Sequence, residues 1–167
     1  MTFLPKRTTN RIALALTSLG VLALLLAHFR TLDLEAWTGL GASGEVRQGW
    51  EFWKELIALA KAGGAGIFSD TWKFVSLLIP VAVVVVITIS PAMLFAISRS
   101  RQLWYLFTLS ASFALFVLSM RIYLLHRGSF SLEEVPPAVT SLLLAQVLNL
   151  LGLFCIRSDE PRLGFKP

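Results

Sequence analysis

Three polar residues are candidates for chemistry because each falls inside an otherwise apolar stretch: Arg121, Gln146 and Asn149. Gln146 and Asn149 are three residues apart, a spacing that puts both on one face of a helix. A side-chain amide in apolar surroundings needs hydrogen-bond partners, so this pair predicts a polar contact between helices. Three interpretations are open. The amides bond neighbouring helices of the same chain, they form an interface with another copy or a partner, or they line a substrate path.

Arg121 is the one charge inside its apolar stretch, and it lies roughly 6 Å from the end of that stretch by helical rise. At that depth the guanidinium can extend along the helix to the lipid headgroups, which lowers the cost of placing a charge in the bilayer. The alternative is that Arg121 turns inward and pairs with a polar side chain. Four residues offer such a partner: Glu133, Glu134, Gln146 and Asn149.

Patterns typical of enzymes and metal sites are missing from the sequence. There is no nucleophile elbow, no His-Glu-x-x-His and no glycine loop of the kind that binds phosphate. His28 and His126 are not spaced with acidic residues as metal ligands would be, and Cys155 is the only cysteine. We therefore predict that the chain is not an enzyme and binds no cofactor or metal.

The composition points to a lipid environment. Apolar residues make up 56% of the chain and charged residues 15%, against roughly 45–50% and 25% in water-soluble domains. A bilayer accommodates this excess because apolar side chains can then face outward. The net charge of +5 comes from basic residues beside the apolar stretches, so we expect anionic headgroups rather than nucleic acid as the counter-charge.

Four apolar stretches are long enough to cross a bilayer as helices: residues 12–29, 72–97, 103–125 and 137–156. A signal peptide is a poor interpretation of the first, since no small-residue cleavage site follows it. Aromatic residues at both ends of the third match the two membrane interfaces. The sequence thus predicts an all-α, polytopic membrane protein with a single four-helix transmembrane domain.

The distribution of charge predicts the orientation. With the N-terminus in the cytoplasm, the cytoplasmic segments carry +6 and the opposite segments −1. The short connection at 98–102 holds Arg99 and Arg101 and no acid, and short loops follow the positive-inside rule best. We expect both termini in the cytoplasm and a plasma-membrane location, as in a bacterial inner membrane.

The connection between the first two stretches is too long for an unstructured loop in a compact protein. On a helical wheel, residues 46–61 separate into an apolar half and a charged half, which predicts an amphipathic helix in the first external loop. One interpretation lays this helix in the headgroup layer with Trp50 and Trp53 as interfacial anchors. In the other, its apolar face docks on another protein or covers the end of the bundle.

Two functions from different classes fit these patterns. The leading hypothesis is an accessory or scaffold subunit that packs against partner membrane proteins, since the apolar stretches carry small and polar residues suited to helix packing. The alternative is a homo-oligomeric pore or small transporter in which Arg121, Gln146 and Asn149 face a polar centre. Architecture alone does not decide between them.

Overall fold

The computed structural model describes residues 6–33, 46–61, 71–125 and 135–156. The elements, in chain order, are α1 (Lys6–Phe29), β1 (Thr31–Asp33), β2 (Val46–Gln48), α2 (Glu51–Lys61), α3 (Thr71–Arg99), α4 (Arg101–Leu125) and α5 (Pro137–Cys155). The described chain is mostly helical, as the sequence predicts.

Within the described residues, four helices are long and apolar enough to cross a membrane: α1, α3, α4 and α5. Their apolar segments cover Thr9–Phe29, Pro80–Arg99, Arg101–Met120 and Pro137–Cys155. The prediction of four helices of spanning length is confirmed. Helix α3 continues through both Pro80 and Pro91, although each proline lacks the N–H of a regular helical bond.

A single residue separates α3 from α4. Ser100 accepts a bond at its side-chain Oγ from the Leu103 N–H at 3.3 Å, and its carbonyl accepts from the Trp104 N–H at 3.0 Å. This is the N-cap arrangement, in which a serine oxygen satisfies an otherwise free donor of the first helical turn. A serine between two arginines therefore explains why one helix ends and the next begins here.

Helices α1 and α5 run antiparallel and form the main contact of the bundle, while α3 and α4 pack beside each other and against that pair. Buried apolar residues form three clusters along the bundle. The middle one centres on Val83, Ile87 and Ala145, one end on Ala13, Ile97 and Leu153, and the other on Leu118, Ile122 and Val139. Arg11, Arg99 and Arg101 mark the end that contains Ala13, which we call the basic end.

The predicted start of the amphipathic helix at Val46 is wrong. Residues Val46–Gln48 form β2, which pairs antiparallel with β1 in the register Thr31↔Gln48, Leu32↔Arg47 and Asp33↔Val46. The helix begins only at Glu51, and its first-turn Glu51 and last-turn Lys61 both complement the helix dipole. We call β1, β2 and α2 the end cap, since they lie at the end of the bundle opposite the basic end.

The end cap is fastened to the last turn of α1 by backbone bonds. The Trp50 N–H donates to the His28 carbonyl at 2.8 Å, and the Gly49 N–H donates to the Arg30 carbonyl at 2.9 Å. The final carbonyls of a helix have no partner within it. Here one of them, that of His28, accepts a bond from the turn between β2 and α2.

Candidate functional site

Small residues bring the backbones of α1 and α5 close together. We call this contact the seam; it consists of Ala13, Thr17 and Gly20 on α1 and Ala145, Asn149 and Gly152 on α5. A Cβ placed on Gly152 would lie 2.7 Å from Thr17 Cγ2 and 3.0 Å from the Ala13 carbonyl oxygen. One on Gly20 would lie 3.0 Å from the Ala145 carbonyl oxygen. Glycine is the residue that such spacing accommodates, and close backbone approach of this kind is how helices associate in lipid.

Gln146 connects α5 to α4 from a fully buried position. Its Nε2 donates to the backbone carbonyl of Ala111 at 2.7 Å. A helical carbonyl keeps a second lone pair after its own backbone bond, so Ala111 can accept this additional donor. The Oε1 atom of the same amide has no partner among the described residues. Gln146 therefore joins two helices through its amide nitrogen.

Asn149 lies one turn further along α5 and is also fully buried. It faces α1 at the seam, where a Cβ on Gly20 would lie 3.6 Å from its own Cβ. Within the described part of the chain neither Oδ1 nor Nδ2 has a hydrogen-bond partner, and the same holds for Thr108 Oγ1 on α4. An unsatisfied buried polar group costs about 1–3 kcal/mol. Asn149 is therefore a costly residue for this position.

Three other buried hydroxyl groups behave differently from the amides. Thr17, Ser90 and Ser141 each donate to the carbonyl four residues earlier in their own helix, at 2.9, 2.6 and 3.0 Å. Such local bonds satisfy the hydroxyl without a partner helix. Among the fully buried polar side chains described here, Gln146 is therefore the one that bonds another helix. The half-buried Trp104 of α4 adds a second bond between helices, since its Nε1 donates to the Leu153 carbonyl of α5 at 2.9 Å.

The structure describes the side chains of two of the three predicted polar site residues. Gln146 and Asn149 are buried inside one chain, on faces that meet α4 and α1. Arg121 belongs to α4, but its side chain and the residues Glu133 and Glu134 lie outside the described part. Whether Arg121 reaches the headgroups or pairs inward therefore stays a prediction.

Trp50 and Trp53 lie in the end cap and make different contacts. Trp53 Nε1 donates to His28 Nε2 at 2.8 Å, and the two ring planes are nearly parallel, at 8° to each other, with centroids 6.1 Å apart. Trp50 Nε1 donates to Gln48 Oε1 at 2.6 Å, and Lys54 Nζ lies 4.0 Å from the centre of the Trp50 ring. Trp53 thus contacts the bundle itself, whereas Trp50 contacts only residues of the end cap in these bonds.

The apolar face of α2 is covered at Phe52, which is buried against Leu32, Trp53, Leu56 and Val81. Since Val81 belongs to α3, this contact joins α2 to the bundle. Ile57, which the helical wheel assigns to the same apolar half, is exposed. Of the two interpretations of the amphipathic segment, the Phe52 contact favours the one in which it covers the end of the bundle.

His28 is a structural residue that the sequence patterns miss. Its Nδ1 is 2.8 Å from the Leu24 carbonyl oxygen, so Nδ1 carries the proton and Nε2 is left to accept from Trp53. The Leu24 bond is local, but Trp53 is 25 residues away. No spacing rule links two residues so far apart, so this contact has no signal in the sequence.

The two buried amides can supply hydrogen bonds to a neighbouring helix. Side-chain amides are neutral donors and acceptors, and no group of three metal-binding side chains occurs among the described residues. The chain matches no protein-family model, no curated protein and no solved structure with which it was compared. Any function must therefore be argued from the faces and contacts of the bundle.

Proposed function

We propose that the chain is an integral membrane protein of the plasma membrane with both termini in the cytoplasm. Support comes from the four helices of spanning length and from the arginines at the basic end. Reporters fused after Lys166 and within 98–102 should read cytoplasmic. A reporter in 39–44 should read external, and a cytoplasmic signal from it would reverse the orientation.

Within that membrane, the proposed role is an accessory or scaffold subunit that packs against partner membrane proteins. The observation that carries this proposal is an exposed row on α4, which we call the α4 stripe. Its residues alternate at spacings of three and four: Leu106, Leu109, Phe113, Phe116, Met120 and Tyr123. This is the heptad spacing with which one helix packs along another. Phe113 and Phe116 are 66% and 65% exposed. Large aromatic side chains contribute strongly to binding at protein interfaces, so these two rings are the main candidates for contact with a partner.

The outward face of α1 provides a contrast within the same bundle. Its large exposed residues are leucines and one terminal phenylalanine: Leu14, Leu19, Leu22, Leu25, Leu26 and Phe29. Flexible aliphatic side chains suit contact with acyl chains. We therefore assign partner contact to the α4 stripe and lipid contact to the exposed leucines of α1.

The burial of Gln146 and Asn149 supports the accessory role over the homo-oligomeric pore. In a pore of several chains, the polar side chains would have to face a shared centre. Both amides are instead enclosed by helices of one chain. Exposing them to a central channel would require α1 and α4 to separate from α5.

Site-specific photo-crosslinking in the native membrane tests the proposed role. A crosslinking amino acid at Phe113 should capture one defined partner polypeptide, whereas the same group at Leu22 should capture lipid. Both residues are exposed and apolar, so the two positions differ in the helix that carries them rather than in burial or polarity. A Phe113→Ala, Phe116→Ala double variant should lose co-purification of that partner, and Leu22→Ala with Leu25→Ala should keep it.

Purification in a mild detergent separates the two functions. A partner polypeptide present at a fixed ratio supports the accessory subunit. If the purified material contained only this chain, as an oligomer that made liposomes leaky, the pore would be correct and the accessory role wrong.

A further inference from the structure

A groove opens at the basic end between α1, α3 and the residue that follows α5. It has a volume of about 160 Å³ and is lined by Asn10, Ala13, Leu94, Phe95, Ser98 and Ile156. Most of this lining is apolar, with the polar Asn10 and Ser98 among it. Ser98 donates to the Phe95 carbonyl at 2.8 Å. The groove therefore combines the surface that suits an alkyl chain with a polar margin.

A cation is held directly against the lining of this groove. The guanidinium carbon of Arg99 lies 3.9 Å from the centre of the Phe95 ring, which is within the range of a cation–π contact. Phe95 is itself one of the groove residues. The contact thus fixes where the charge lies, because it keeps the guanidinium beside the groove.

Among the described residues, the charge around this groove is of one sign. Arg11 and Arg101 are exposed at the same end of the bundle, and none of the described residues 6–13, 94–107 and 152–156 is acidic. A basic pocket between membrane helices is a recognised way of binding anionic lipid headgroups. An arginine also suits phosphate better than a lysine does, since its planar guanidinium can donate two parallel hydrogen bonds.

We propose that this groove is a binding site for one anionic phospholipid, with an acyl chain along Phe95 and the phosphate on Arg99. Asn10 and Ser98 lie where the glycerol region of that lipid would pass. The inference rests on the proposed membrane location, but it is independent of the accessory role. In this proposal, the apolar lining of the groove binds the acyl chain and the arginine at its edge binds the phosphate.

Native mass spectrometry of the full-length protein in mild detergent tests the site. The probes are phosphatidylglycerol and phosphatidylcholine with identical acyl chains, titrated separately. The wild-type chain should retain one phosphatidylglycerol in preference to phosphatidylcholine. Inorganic phosphate should not displace it, because the acyl chain contributes to binding.

Two arginines provide a matched pair of variants. Arg99→Gln should lower the affinity for phosphatidylglycerol by about fivefold, the effect of removing one basic residue at a lipid surface. Arg101→Gln removes the same charge two residues away, on α4, where the guanidinium donates to the Tyr105 hydroxyl at 3.3 Å instead. Because this guanidinium is held away from Phe95, we expect a smaller loss of affinity than in Arg99→Gln. Equal losses in both variants would overturn the site in favour of general charge attraction.

Phe95→Ala tests the apolar part of the same groove. Removing the ring should weaken both lipids, whereas Phe29→Ala, a change at a comparably exposed phenylalanine at the opposite end of the bundle, should weaken neither. Equal retention of the two lipids by wild type would overturn the inference. Alkaline-washed membranes distinguish this failure from the larger one. A chain that stays in the pellet keeps the membrane proposal, and one that leaves it overturns both.

Discussion

Helices α1 and α5 meet along small side chains, whereas α2 meets the end of the bundle through large aromatic ones. At the seam, backbone atoms come within contact distance where Gly20 and Gly152 stand. In the end cap, the contacts are Phe52 against Val81 and Trp53 against His28. The proposed membrane location accounts for this difference, since lipid gives no hydrophobic force between helices and leaves close packing as the attraction. Under the same proposal the end cap lies nearer to water, where burial of aromatic area and ring hydrogen bonds stabilise a contact.

The largest expected effect comes from filling the seam. Gly152→Leu places a side chain where even a Cβ would meet the Ala13 carbonyl oxygen at 3.0 Å, and backbone cannot move aside as a flexible side chain can. We expect the free energy of unfolding to fall by about 3 kcal/mol or more. Unfolding in mixed micelles with increasing dodecyl sulfate, followed by circular dichroism, measures it.

The control for this change is Ala15→Leu, which adds a large side chain to the exposed face of α1. It should leave the unfolding midpoint unchanged. If Gly152→Leu behaved in the same way, the close contact of α1 with α5 would not be what stabilises the bundle.

The next effect separates the two buried amides. Gln146→Met gives up the bond to the Ala111 carbonyl, and hydrogen bonds between membrane helices contribute about 0.6–1.7 kcal/mol. Asn149→Ala gives up no bond to the described residues and adds no volume to the close-packed seam, so it should cost less than Gln146→Met in the same unfolding assay. The reverse order would mean that Asn149 bonds a group which the described residues do not include.

A smaller and local effect is expected in the end cap. Trp53→Phe removes the bond to His28 Nε2, which is worth about 1 kcal/mol. Since we expect α2 to open locally while the bundle stays folded, the change should appear as roughly fivefold faster amide exchange in Glu51–Lys61, with the global midpoint retained. Trp50→Phe is the matched control, since its bond to Gln48 stays within the end cap.

His28→Phe should speed exchange in α2 as Trp53→Phe does, and the double variant should add little to either. Residues that share one hydrogen bond are coupled in this way. Fully additive effects would show that the two rings act independently.

The smallest effect concerns the ion pair of the end cap. Arg47 Nη1 and Glu51 Oε2 are 3.8 Å apart and both side chains are about a quarter exposed. Such pairs contribute about 0–1 kcal/mol, so Arg47→Gln should change exchange in α2 by less than Trp53→Phe does. A larger change than that of Trp53→Phe would make charge, rather than aromatic contact, the main attachment of the end cap.

The spanning helices could be predicted from sequence because the constraint that forms them is local. In lipid, a helix must satisfy its backbone groups within itself, so a long apolar run is sufficient evidence. The predicted stretch 137–156 agrees with Pro137–Cys155 to one residue. Helix α1 begins earlier than predicted, at Lys6, since charged residues can continue a helix that hydropathy alone would end.

The contacts that organise the two ends of the molecule are not local, and for this reason the sequence does not reveal them. Helical periodicity extends over 46–61, but Val46–Gln48 pairs with a strand fifteen or so residues earlier and leaves the helix. The partner of Gln146 is a backbone carbonyl, a group that every residue carries. An amide in an apolar helix therefore predicts a bond without indicating the residue that accepts it.

Helix α1 meets its main partner, α5, only after α3 and α4 have been made. Gly20 leaves the ribosome more than a hundred residues before Gly152, which corresponds to a delay on the order of ten seconds during synthesis. Through that interval the small residues of α1 have no α5 to cover them, while α3 and α4, separated by Ser100, can already pair with each other. The order of synthesis thus differs from the order of contact strength, and a chain truncated before Pro137 should be a preferred substrate for membrane quality-control proteases.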